Sequence, residues 1–278
     1  MPGTLYVIAT PIGNLGDLSP RAAEVLRSVA AIAAEDTRRT LQLLAHLGAP
    51  APTMLSLPAF DERGRASAVL ARLAAGEDVA LCTDAGTPGV SDPGQQLVAA
   101  AWAAGVRVVP IPGPCAAVAA LACSGLPSDR FFVQGFLPRK GGGRAEVLRQ
   151  LAGIPATLVL YEAGNRVGET LRDLRAALGD REAALARELT KLHEEVARGK
   201  LSHLADRFAG GARGEVTIVL AGAEAGVAPA EPEPLEAVLR RRMAAGEAPS
   251  AIAREVAKER GMKRAEVYAA LESLKRRS

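Results

Sequence analysis

The sequence predicts an α/β protein: two tandem α/β domains followed by a small C-terminal helical module. Three observations carry this prediction. Short apolar runs alternate with helical segments from Thr4 to about Leu126, the pattern of βαβ units around a largely parallel sheet. Those runs show little polar alternation, so both faces of the sheet are expected to be covered. A second alternating block opens at FFVQGFLP, residues 131–138, and a Pro-, Ala- and Glu-rich linker then leads to a basic tail. The expected boundaries are 1–127 and 128–223 for the two domains, 224–236 for the linker and 237–278 for the helical module.

TLYVIAT, residues 4–10, reads as a buried strand and PIGNLGD as the turn after it. Ser19 before Pro20 is an N-cap followed by the favoured first-turn proline, which opens a helix through about Ser28. AIAAED, 31–36, is a short strand, and TRRTLQLLAHLG and ERGRASAVLARLAAGE are helices. DVALCT, 78–83, is a strand, GQQLVAAAWAAG a helix, VRVVPIP a strand and CAAVAALACSG a helix of small residues. In the second block KGGGR, 140–144, reads as a positively charged loop. ATLVLYE, EAALARE and GEVTIVLAG read as strands, and NRVGETLRDLRAALG and LSHLADRFA as helices. In the tail, Ile252, Val256 and Ala257 share one helical face, Gly261 breaks the helix, and Val267, Ala270 and Leu271 line the next. That is a helix–turn–helix pattern with basic exposed positions; it either touches RNA or docks on the body or a partner subunit.

A chain of 278 residues with 49% apolar residues can bury a substantial core. The net charge is only +3, yet residues 239–278 hold eleven Lys or Arg against five Glu, so the body is slightly acidic. A basic appendage on such a body points to an anionic partner, or to a solvated Arg-rich helical surface. Aromatics at 3% argue against a broad base-stacking platform. Three cysteines without a CxxC spacing argue against a disulfide framework and a structural zinc site. With no signal-peptide pattern and no apolar run of membrane-spanning length, a reducing cytoplasm is the expected location.

Ligands of parallel sheets bind beyond the carboxyl ends of the strands. Three loops there are rich in Gly, Pro and small residues: TPIGN after the first strand, DAGTPGVSDPG after Thr83, and PGPCAA after Ile111. Small residues let backbone amides approach a ligand, and prolines pre-set the loop. Asp84 is placed to accept from a ribose hydroxyl or an amine. GxGxxG after the first strand, GxxxxGK[ST] and GxSxG are all missing, which weighs against a Rossmann dinucleotide site, a P-loop and a hydrolase elbow. His46, His193 and His203 are too few and too scattered for a metal cluster. Two polar constellations remain: AAEDTRRT, with Glu35, Asp36, Thr37, Arg38 and Arg39, and ARELTKLHEE, with Arg187, Glu188, Thr190 and Lys191. Their arginines either pair with the neighbouring carboxylates or hold a phosphate, and Asp36 is also placed to cap a helix.

LYVIATPIGNLGDLSPRAAEVL, AAEDTRRT, LCTDAGTPGVSDPG, VVPIPGPCAAVAALACSGLPSDRFFVQGFLP and LARELTKLHEE together resemble one family, from about Thr4 to Gly222. It is the bacterial small-subunit (16S) ribosomal RNA 2′-O-ribose cytidine methyltransferases, of the tetrapyrrole methylase superfamily (class III). The resemblance implies S-adenosylmethionine as cofactor in a cleft between the two domains, cytidine 1402 of 16S rRNA in the small ribosomal subunit as substrate, and a homodimer. It implies cofactor contacts at Pro11, Ile12, Asp84, Ala85, Gly86, Val90, Cys115 and Ala116, with Tyr161, Ala186 and Thr217 from the second domain. Candidates for taking the hydroxyl proton are Asp36, Glu188 and Lys191; Arg38, Arg39, Arg187, Lys140 and Arg144 are candidate RNA contacts. One departure is visible. The family commonly shows Tyr-Glu-Ser followed by His-Arg, whereas this chain reads YEAGNRV, with Ala163 and Asn165 there and Glu162 and Arg166 retained. A positioning or structural role for that stretch is therefore expected. The rival readings are a small-molecule tetrapyrrole methyltransferase, disfavoured by the basic tail, and a non-catalytic RNA binder, disfavoured by the intact cofactor loops.

Overall fold

The computed structural model describes residues 1–139, 141–223, 234–260 and 262–277. The chain forms two compact units, one of Met1–Cys123 with Arg187–Glu195, the other of Ser124–Ala186 with Val196–Ser278. The first unit alternates β1 (Thr4–Ile8), α1 (Pro20–Ser28), β2 (Ala31–Ala34), α2 (Thr37–His46), β3 (Thr53–Ser56), α3 (Glu62–Ala74), β4 (Val79–Cys82), α4 (Gln95–Ala103), β5 (Arg107–Ile111) and α5 (Ala116–Ser124). Its five strands lie in the order β3-β2-β4-β1-β5. Every described pairing is parallel, with Tyr6 opposite both Ala80 and Val109, and Ile32 opposite Ala80.

Burial on both faces explains the missing hydropathic alternation. Val79 and Leu81 join a core with Leu5, Val69, Leu73 and Leu97, while Ala80 and Cys82 join another with Ile8, Leu26, Ile32 and Leu44. Successive side chains of one strand thus enter two different cores, and no position is left for a polar residue. The helix signals act as expected at α1, where the Ser19 hydroxyl accepts from the Ala22 amide ahead of Pro20. Strand β3 was not expected. It is a short edge strand with no fully buried residue, so it lacks the apolar run that marks its neighbours.

The second unit holds β6 (Phe131–Phe136), α6 (Gly142–Ala152), β7 (Thr157–Ala163), α7 (Val167–Leu178), β8 (Glu182–Arg187), β9 (Glu195–Lys200), α8 (Leu201–Arg207) and β10 (Glu215–Leu220). Its sheet runs β6-β7-β10-β8-β9 and is mixed: β6 pairs with β7 in parallel, β10 with β7 antiparallel. Strand β9, also unexpected, is a polar edge strand in which only Ala197 is buried. The segment read as a charged loop contributes most of its residues to α6. Three further helices, α9 (Leu235–Ala244), α10 (Pro249–Arg260) and α11 (Arg264–Arg277), bury Leu239, Ile252, Val256, Val267 and Leu271 in a core of their own. These include the positions assigned to a helical face from spacing; Gly261 and residues 224–233 lie outside the described residues.

Helix α4 shows how a distant side chain completes this frame. Gly94, at its N-cap, has no side chain to cap with, and Oε1 of Glu62 accepts instead from the amides of Gly94 at 3.0 Å and Leu97 at 2.9 Å. Glu62 is only 6% exposed, and Gly94 and Leu97 are buried with it, so water does not compete for those bonds. Glu62→Ala is expected to cost about 2 kcal/mol, the penalty of stranding buried donors. It should be read as a lower urea midpoint at unchanged m-value.

Candidate functional site

Strands β4, β1 and β5 are neighbours, so the three Gly- and Pro-rich loops leave the same edge of the parallel sheet. Backbone bonds lock two of them. The Thr10 amide donates to Gly86 O at 2.9 Å and the Gly86 amide to Thr10 O at 3.1 Å, an antiparallel bridge beyond the ends of the parallel strands. The Thr10 hydroxyl donates to Thr83 O at 3.1 Å, and the Thr87 hydroxyl ties in the third loop by donating to Pro114 O at 3.1 Å. Gly86 has φ +91°, where a side chain is strained, and a Cβ there would lie 3.5 Å from Cγ2 of Ile12. Backbone angle, not lack of space, demands the glycine. Pro11, Ile12, Asp84, Ala85, Gly86, Cys115 and Ala116 are thereby carried on three cross-linked loops of one sheet edge. Val90 follows in the same loop as Asp84, its amide donating to Thr87 O at 3.2 Å.

A carboxylate cluster braces the exits of β2 and β4. Oε2 of Glu35 accepts from the Asp84 amide at 3.2 Å, and Oδ1 of Asp84 accepts from the Asp36 amide at 3.1 Å. Burial raises the Glu35 pKa above its ordinary value, the Asp84 amide opposes that rise, and the Asp84 charge adds to it. Asp36 caps α2 through the Arg38 amide at 2.9 Å and takes the Arg38 guanidinium on both oxygens, at 3.0 and 2.7 Å. Those bonds hold its carboxyl at about 2. Asp36 is therefore a committed cap and ion-pair partner, and a feeble proton acceptor. Arg39 pairs with Asp84 at 3.4 Å, and both arginines stay largely exposed. Glu35 belongs to the AAEDTRRT constellation but carries no catalytic or binding role in the sequence reading; the signal for it is a second acid at the end of a fully buried strand.

The ELTK segment belongs to the first unit, although the chain on either side of it builds the second sheet. Lys191 lies across Gly13 of the β1 loop: a Cβ on Gly13 would sit 2.7 Å from Cγ and 2.8 Å from Cε of Lys191. Nζ of Lys191 donates to Oε1 of Glu188 at 3.0 Å. Glu188 and Thr190 have φ +50° and +67°, left-handed conformations that cost non-glycine residues on the order of 1 kcal/mol each. The Thr190 hydroxyl is buried without a hydrogen-bond partner among the described residues. Both the left-handed backbone and the unsatisfied buried hydroxyl cost stability. Arg187 pairs with Glu195 at the base of this segment.

In the second unit, Tyr161, Thr217 and Ala186 fall on the adjacent strands β7, β10 and β8, with Thr217 opposite Tyr161 in register. Arg144 does not fit an RNA contact. It is 6% exposed, and its guanidinium donates to Asp173 at 2.7 Å, Pro138 O at 3.1 Å and the Thr170 hydroxyl at 2.8 Å. The glycines before it start a helix rather than an open loop, and the first turn of α6 buries the side chain. Lys140 lies outside the described residues. Burial pushes the Cys82 thiol up to about 12, leaving it unreactive. No cluster of metal-ligating side chains occurs among the described residues, and no described helix is long and apolar enough to cross a membrane.

The edge formed by Thr10–Gly13, Asp84–Gly86 and Cys115–Ala116 offers main-chain polar groups beside small side chains, with carboxylates behind. That donor set suits a ligand bearing hydroxyls, an amino group and a positive centre, and so fits S-adenosylmethionine.

Residues 4–205 match the family described as tetrapyrrole (corrin/porphyrin) methylases. A protein named ribosomal RNA small subunit methyltransferase I from Xylella fastidiosa is 53% identical over 80% of this chain and 82% of its own length. Proteins of the same name from Synechocystis and Mesorhizobium japonicum are 46% and 44% identical, covering 96% and 98% of this chain and 96% and 92% of their own. Among solved structures, a diphthine synthase has TM-score 0.61 at 20% identity, over 79% of this chain and 90% of that one. A uroporphyrin-III C-methyltransferase from Thermus thermophilus, complexed with S-adenosyl homocysteine, has TM-score 0.56 at 21% identity, over 80% of this chain and 97% of that one.

The carboxylate cluster predicts opposite pH behaviour for two adjacent acids. Glu35 holds its proton longer folded than unfolded, so its contribution falls as pH rises from the ordinary carboxylate value through the raised one. Asp36 contributes fully above 3.8 and loses that contribution as pH falls through about 2. Unfolding free energies measured across acidic pH should therefore show Glu35→Gln flattening the loss on the rising side, and Asp36→Asn flattening the loss on the acid side.

Proposed function

The chain belongs to the tetrapyrrole (corrin/porphyrin) methylase family, and from that we propose that it transfers a methyl group from S-adenosylmethionine to small-subunit (16S) ribosomal RNA, at the ribose 2′-oxygen of cytidine 1402 in the decoding region. The observation that carries this reading is 44–53% identity, over most of the chain, to proteins named ribosomal RNA small subunit methyltransferase I. The basic composition of residues 239–278 agrees with a polyanionic partner.

S-adenosylmethionine supplies a methyl group on a positively charged sulfur, activated without help from the protein. The first-unit residues to hold it are Pro11, Ile12, Ala85, Gly86, Val90, Cys115 and Ala116; Tyr161, Ala186 and Thr217 are candidates by resemblance alone. Asp84 acts from behind, since its carboxylate holds the Asp36 amide and Arg39. What remains for the protein is alignment of the ribose and acceptance of the 2′-hydroxyl proton. Glu188 is the proton acceptor in this reading. The Glu188–Lys191 pair sets a carboxylate beside an ammonium, and a nucleotide offers the matching hydroxyl proton and phosphate. Gly13 serves by having no side chain, because any Cβ would displace Lys191. Arg38, Arg39 and Arg187 are the phosphate contacts of this unit. The working form is a cytoplasmic homodimer; Phe131, Phe132 and Phe136, exposed on edge strand β6, support a subunit contact in the second unit.

Methyl transfer from labelled S-adenosylmethionine, offered small ribosomal subunits, naked 16S rRNA and a tetrapyrrole in parallel, tests the substrate. Label at one alkali-resistant ribose linkage is the expected result; label on the tetrapyrrole alone would overturn the RNA assignment. Glu188→Gln should lower kcat on the order of 100-fold with cofactor binding retained, Gly13→Ala should lower kcat/KM through misplacement of Lys191, and Asp36→Asn should stay within a few-fold of wild type. Sedimentation should show a dimer that Phe132→Asp weakens.

A further inference from the structure

The second unit contains a buried ionic network that none of these roles uses. Glu162 is 2% exposed and Thr170 1%. Oε1 of Glu162 accepts from the Ala163 amide at 2.9 Å and lies 3.6 Å from Nη1 of Arg166. Oε2 accepts from the Thr170 hydroxyl at 2.6 Å, and that hydroxyl accepts in turn from Nη2 of Arg144 at 2.8 Å. The two arginines tied to this one carboxylate each hold a main-chain carbonyl of the same surface segment. Arg144 donates to Pro138 O at 3.1 Å, and Arg166 donates to Arg139 O at 3.1 Å.

Two consecutive carbonyls at the end of the β6 segment are thus fixed from below, while the residue carrying the second of them, Arg139, is exposed. Among the described residues no carboxylate pairs with its guanidinium. Burying charges is a poor route to stability, since apolar residues of similar volume serve as well. What such a network does supply is a fixed backbone. A guanidinium mounted on a fixed backbone loses less freedom on meeting a phosphate than one on a loose loop.

We propose that Arg139 is an RNA phosphate contact, and that Glu162, with Thr170, Arg144 and Arg166, is the positioning network that aims it. This rests on the ribosomal RNA reading above and adds a substrate-binding residue to it. The test uses the full-length protein and unmodified small ribosomal subunits, with affinity measured against KCl concentration and turnover against subunit concentration. Arg139→Ala should reduce the slope of log affinity against log salt by about 0.7–0.9, the share of one phosphate contact. It should raise KM for the subunit at unchanged kcat and unchanged S-adenosylmethionine affinity, and Arg139→Lys should restore the slope. Glu162→Gln should weaken subunit binding, and removing Arg139 in that background should cost less than in wild type. Thr170→Val, which deletes only the relay hydroxyl, gives the same cycle should Glu162→Gln fail to fold. An unchanged slope and KM in Arg139→Ala would overturn the contact, and strict additivity in either cycle would overturn the positioning. A wild-type protein that neither binds nor methylates small subunits would sink the ribosomal RNA reading itself, an outcome visible before any variant is made.

Discussion

A parallel strand that stops in the interior must pass its chain to a loop whose amides and carbonyls still need partners. Thr10 and Gly86 meet that need for each other, exchanging both backbone hydrogen bonds beyond the ends of β1 and β4. Because the exchange is antiparallel, both loops must turn back, and Gly86 does so at a φ that a side chain resists. The Thr10 and Thr83 hydroxyls satisfy carbonyls of the same turn, and Thr87 extends the link to the loop after β5. Every candidate cofactor residue of the first unit lies on a loop that this cross-link holds.

Around that frame, charge is arranged in short closed circuits. Glu35 and Asp84 each accept an amide from the other's loop, Asp36 caps α2, and Arg38 and Arg39 balance the acids. The exposed pairs contribute little to stability, since solvent screens them. Their effect is geometric: they set where β2 and β4 release the chain. Across the same unit Lys191 lies on Gly13 and meets Glu188, in a segment that tolerates two left-handed residues and a buried hydroxyl without a partner among the described residues.

The second unit solves a similar problem with buried rather than exposed charge. Glu162 gathers an amide, a hydroxyl and a guanidinium, and through them two carbonyls at the end of the β6 segment. The same side chains read differently from sequence, where Arg144 after three glycines resembles a solvated cation. Arginine's long apolar stem and five donors let it be either, and only the partners within reach decide.

The alternation of apolar runs and helical periodicity was enough to read two α/β blocks, most strands, the Ser19 cap and the helical faces of the tail, because these are local patterns of burial and capping. The polar clusters at strand ends were legible for a related reason: carboxylates and glycines that abruptly end a buried run need an explanation wherever they occur. Strands β3 and β9 were not legible, since β3 is four residues long with none fully buried and β9 is polar with only Ala197 buried, so neither carries an apolar run. Nor was the mixed direction of the second sheet, which depends on how strands meet and not on what each contains. Tertiary structure alone put Lys191 on Gly13, brought Asp84 to the Asp36 amide and Arg39, and buried Arg144 against Thr170 and Asp173. Burial pattern is written residue by residue along the chain. A charged side chain's role depends on which partner lies within about 3 Å, and partners far apart in sequence come within that reach only when the chain has folded.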